Sequence, residues 1–163
     1  MTVKEKKKSL IKQEIFADRT ASLGMKAVSH TVLSLFLIRT ALFVFELIFF
    51  SIKDIKLSVI SNILLLPFFF ILYMIFDGNR GIIAIPEISA VVRVIVYFST
   101  THKALGAVSF GGAYTGVFLA CMVLQFALCI LIQNLPACSL YFKKMQGINF
   151  KLQKEIMNSG SRR

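Results

Sequence analysis

Arg39 and Glu46 stand seven residues apart inside an apolar run, and charges held there are the part of this chain best able to do chemistry. An ionisable group in such a run costs from about 2.5 kcal/mol upward if lipid surrounds it, so it faces protein or water. At about 100° per residue the two side chains fall within roughly 20° of each other on one helix face, about 10 Å apart along the axis. Glu87 and Arg93, in a later apolar segment, are the natural partners on a neighbouring helix. The expected pairs are Glu46 with Arg93 and Glu87 with Arg39. Glu87 and Arg93 nevertheless project about 120° apart, so both cannot point squarely at one neighbour. Four such charges can set helix packing and register, line a path for an ion or substrate, or meet a charge on a partner's helix.

A further polar group, Gln125, lies in the last apolar segment and needs a partner for its amide. On the opposite side of that helix Gly112, Gly116, Ala120, Val123 and Ala127 fall within about 80° of arc, a stripe of small residues that lets another helix approach closely. Such a stripe serves either packing within the chain or contact between chains.

Signals for catalysis are nearly absent, and the chain reads as a non-enzyme. His30 and His102 fall on opposite sides of the expected bilayer, so they cannot share a metal or form one acid–base pair. No HExxH, GxSxG or P-loop pattern occurs, and no metal or cofactor is expected. Cys121, Cys129 and Cys138 make no CxxC; the first two would sit about 12 Å apart along one helix, beyond disulfide reach, and read as small apolar packing residues.

The elements that must hold these groups are membrane helices. Apolar residues form 56 % of the chain and charged residues only 17 %, too little polar material to cover a water-soluble ball. Mean hydropathy is +0.74. The expectation is an all-α integral membrane protein, a small bundle of four transmembrane helices at about 27–52, 57–76, 82–101 and 105–135. KDIK at 53–56 and DGNRG at 77–81 supply turns, the second through Asp-Gly and Asn. The third span is the shortest if it begins at Pro86, a favoured first-turn residue, and an interfacial or re-entrant piece is its alternative.

Net charge is +11, and its surplus is concentrated in a basic N-terminal segment, 1–26, and a basic tail, 136–163. Lysines flanking long apolar runs are what cytoplasmic segments carry, where anionic lipid headgroups attract them. Membrane topology therefore accounts for the charge without nucleic acid. Four spans put both termini in the cytoplasm, with the N-terminal segment an amphipathic helix or a disordered tail. Lysine and isoleucine content suggests a bacterial plasma membrane. The function expected is that of a structural or accessory subunit working through helix–helix contact, as a homo-oligomer or with a membrane-protein partner. The alternative is an oligomeric transporter or channel using Glu46, Glu87, Arg39 and Arg93.

Overall fold

In a computed structural model, residues 2–52, 65–101 and 111–160 are described, with side chains over 2–46, 67–99 and 112–158. Six α-helices occur among them: α1 Val3–Ile11, α2 Arg19–Ile52, α3 Leu65–Phe76, α4 Ala84–Val96, α5 Gly111–Asn134 and α6 Pro136–Gly160. Wider π-type turns at Lys12–Phe16 and Tyr97–Thr101 and a 3₁₀ turn at Arg80–Ile83 extend them. No strand occurs among the described residues. The KDIK turn, residues 57–64 of the second expected span, His102 and residues 105–110 lie outside the described residues.

Three described stretches are long and apolar enough to cross a membrane, Arg19–Glu46, Arg80–Ser99 and Gly112–Asn134, and Pro67–Phe76 is a shorter apolar helix. Their surfaces fit that length. Leu37, Phe70, Ile88, Ile95, Val123 and Leu131 are all exposed, more apolar surface than a soluble chain leaves uncovered. These features are compatible with a membrane protein.

The first helix begins at Arg19, well before the apolar run at 27, because Asp18 caps it: its Oδ1 accepts from the backbone N–H of Thr20 and Ala21 at 2.9 and 3.2 Å. One seam of α2 is buried along its described length, through Ala21, Gly24, Val28, Thr31, Leu35, Arg39, Leu42 and Glu46. Steps of three and four residues keep that seam on one side. Its composition changes along the axis, from small residues at the start to charges near the end.

The small end meets α6. A Cβ at Gly24 would collide with the backbone carbonyl of Ala137, so only glycine lets the two helices come this close. Residues 136–160, expected as a basic tail, are thus a helix that packs Cys138, Tyr141, Phe142, Met145, Ile148 and Leu152 inward. The N-terminal segment is helical too: α1 opens with a capping box between Thr2 and Glu5, and Ile15 is fully buried.

Polar contacts gather the two ends of the chain and the 77–80 turn at one end of the molecule. Lys6 pairs with Glu155 and Lys151 with Glu14, while Lys144 bonds Asp18 at 2.7 Å and the Glu14 carbonyl at 2.9 Å. Lys7 reaches Asp77, and Arg80 donates to the Gln133 carbonyl at 2.8 Å. Gly78 makes the turn at φ +99°, with Met145 of α6 directly against it. A side chain there would face both a strained backbone and a blocked site.

Candidate functional site

Far from that polar end, α2, α4 and α5 converge on Glu46. About 33 Å of α2 separates Gly24 from Glu46, and about 30 Å of α5 separates Asn134 from Tyr114. Glu46 is 4 % exposed; its Oε1 accepts from Arg93 Nη2 of α4 at 3.3 Å and from the Tyr114 hydroxyl of α5 at 3.2 Å. One carboxylate oxygen therefore ties three helices together.

An aromatic cluster encloses this knot. Tyr114 stacks on Phe45 with ring centroids 5.8 Å apart and lies near Tyr97 and Phe118. The Arg93 guanidinium sits 5.9 Å from the Phe118 ring, and Tyr97 shares a hydrogen bond with Thr115. Rings of this kind exclude water, strengthen the ion pair and satisfy part of the cation's charge through their faces. The Nη1 of Arg93 is buried without a hydrogen bond among the described residues, as is Thr40 Oγ1.

Of the two expected ion pairs, Glu46 with Arg93 is formed and Glu87 with Arg39 is not. The cause is the angle between Glu87 and Arg93 on α4: with Arg93 turned toward α2, Glu87 points elsewhere. Glu87 sits half-buried in the first turn of α4, where the helix dipole favours a negative charge. Arg39 is 6 % exposed, lies 5.8 Å from the Phe68 ring of α3, and has no carboxylate within ion-pair distance among the described residues.

Gln125 finds its partners on α4. Its Nε2 donates to the Pro86 carbonyl at 2.7 Å and to Ser89 Oγ at 3.2 Å, and Ser89 in turn donates to Pro86. On the other side of α5, Gly112, Gly116, Ala120, Val123 and Ala127 are exposed, and a Cβ at either glycine would meet nothing within 4 Å among the described residues. The small-residue stripe faces outward, and the polar and aromatic face turns in. Beside the stripe, Val123 helps line an apolar groove of about 250 Å³ between α4 and α5.

The cysteines are free, with Cys129 and Cys138 buried, and no metal-binding group occurs among the described residues. His30 is exposed on α2.

Tyr114 was not expected as a partner of Glu46. Its signal is the spacing of Tyr114, Phe118, Met122, Gln125 and Cys129 on one face, all buried. At the polar end the 77–81 turn and the basic segments were legible, but the ion pairs that join them carry no local signal. There the Lys144 ammonium, followed by the Ala21 amide, holds the Asp18 carboxyl below its ordinary value, and burial raises the Tyr141 phenol, which donates to the Phe76 carbonyl.

The class defined by these features is an all-helical protein with helices of membrane-crossing length, polar groups turned inward and one small-residue face turned out. No protein-family model, curated protein or solved structure matches the chain.

Proposed function

We propose that this is a small multi-pass membrane protein that crosses the bilayer four times and serves as a structural or accessory subunit, docking another transmembrane helix on α5. Residues 57–76 supply the fourth crossing, both termini are cytoplasmic, and the membrane is a bacterial plasma membrane. The observation that carries the reading is the outward direction of the Gly112, Gly116, Ala120 and Ala127 stripe. Lipid-exposed small residues let a second helix come close enough for dispersion contacts that lipid tails would otherwise supply.

The internal polar groups support the same reading. Glu46, Arg93, Tyr114 and Gln125 are spent on joining α2, α4 and α5, which holds the docking face rigid. The partner is a second copy or another membrane protein, and the basic ends rest against anionic lipid headgroups. No catalytic step is assigned to the chain.

The test is native mass spectrometry after extraction in mild detergent. A stoichiometric complex is expected, and Gly116→Leu with Ala120→Leu should abolish it while circular dichroism stays unchanged. A monomeric wild-type chain, or a complex indifferent to both leucines, would overturn the reading. A second reading, an oligomeric transporter or channel, rests on Arg39, a buried cation with no carboxylate at ion-pair distance among the described residues. It requires flux through liposomes holding the purified chain, with loss of that flux in Arg39→Gln and Glu46→Gln.

A further inference from the structure

At the polar end, where the 77–80 turn docks on α6, the surface opens into a bowl of about 340 Å³. Its size is within the range of small-molecule sites. Gly78 lies against Met145, Tyr141 donates to the Phe76 carbonyl, and Asn149 Nδ2 donates to the Asp77 carbonyl at 2.9 Å. These contacts hold the two walls together without any ligand.

The chemistry of the lining is unusual for a basic protein. No lysine or arginine lines the bowl, so nothing in it is built to hold a phosphate. Its one carboxylate, Asp77, is already neutralised by Lys7, which removes the case for a cation. What remains uncommitted is neutral. The side chains of Asn79, Gln146 and Gln153 are exposed and make no hydrogen bond within the protein among the described residues. Each offers both donors and acceptors. Two aromatic rings, Tyr73 and Phe150, stand beside them with 62 % and 69 % of their surface exposed.

Primary amides next to bare aromatic faces match a ligand with many hydroxyls on its edge and C–H groups on its faces. Hydroxyls, like amides, both give and accept, and a ring's C–H face stacks on an aromatic ring at little desolvation cost. We infer that this bowl binds a neutral carbohydrate, either free sugar or the sugar headgroup of a glycolipid. Tyr73 and Phe150 are the stacking surfaces, and Asn79, Gln146 and Gln153 read the hydroxyls. The site is separate from the α5 docking face, and neither depends on the other.

The chain contains no tryptophan, so Tyr73→Trp gives a single emitter inside the bowl while keeping a stacking ring. The protein is purified in a non-glycosidic detergent, because an alkyl maltoside carries the ligand chemistry itself, and moved into phosphatidylcholine discs. A saturable emission change is expected with glucosyl diacylglycerol in the discs, and added maltose is the second arm. A response to both shows that free sugar suffices; a response to the glycolipid alone assigns the lipid source. Either supports the site if Phe150→Ala or Gln153→Ala weakens the response by about tenfold or more. The proposal fails if neither sugar gives a saturable change, if phosphatidylglycerol gives the same response, or if both alanine variants respond like their parent.

Discussion

Two guanidiniums share the interior of this molecule, and they are held by different means. Arg93 meets a carboxylate and a phenyl face, whereas Arg39 has the Phe68 ring and no carboxylate at ion-pair distance among the described residues. Glu46→Leu leaves the part-buried Arg93 without its carboxylate and should cost up to about 3 kcal/mol of stability. Arg39→Met removes a buried cation with no direct ion pair and only a longer-range attraction to Glu46, and should cost less. Reversible unfolding in bicelles measures both. At the polar end the relevant group is Asp18, whose folded value lies below the ordinary 3.8 because Lys144 and backbone amides hold it ionised. Its contribution is therefore complete above that ordinary value and is lost as pH falls through the lower, folded one. Asp18→Asn keeps the cap on α2 but not the charge, so the variant's melting temperature should fall less than the parent's on acidification below the ordinary aspartate range. Arg39, Glu46, Arg93 and Gln125 were legible in the sequence because polar residues inside apolar runs must face something. Tyr114 was not, because a tyrosine in an apolar run has an apolar body that needs no such explanation.

The elements show how composition along one helix divides labour. α2 uses Ala21 and Gly24 to let α6 approach, Val28 and Leu35 to fill a core, and Arg39 and Glu46 for polar contact. Gly24→Leu forces its side chain into the Ala137 carbonyl, and overpacking of this kind costs typically about 1–3 kcal/mol. Loss of protection against protease between α2 and α6, at unchanged helix content, is the expected result. The apolar runs made the stretches of α2, α4 and α5 readable in advance. For residues 3–16 the sequence left an amphipathic helix and a disordered tail both open; for 136–160 lysines interrupt the apolar positions, and charge alone reads as a solvated tail. Their helices are held by Ile15, Tyr141, Phe142 and Ile148 packing across elements far apart in sequence, information that no local pattern carries.

Taken whole, the molecule has a polar end and an apolar body. Lys6 with Glu155, Lys7 with Asp77 and Lys151 with Glu14 bring the two terminal helices and the 77–80 turn to the same end, while Glu46, Arg93 and Tyr114 lie roughly 30 Å away. That distance is about the thickness of a bilayer's hydrocarbon core. The proposed four crossings, an even number, would give both termini a shared face. Single cysteines at Lys12, Asn79 and Lys154, and a fourth at Lys103 between the third and fourth proposed crossings, placed in a chain whose native cysteines are replaced by alanine, test this directly by labelling with a membrane-impermeant maleimide in sealed, oriented vesicles. The account predicts that positions 12, 79 and 154 label only from the cytoplasmic side and position 103 only from the other. Labelling of positions 12 and 154 from opposite sides would contradict it.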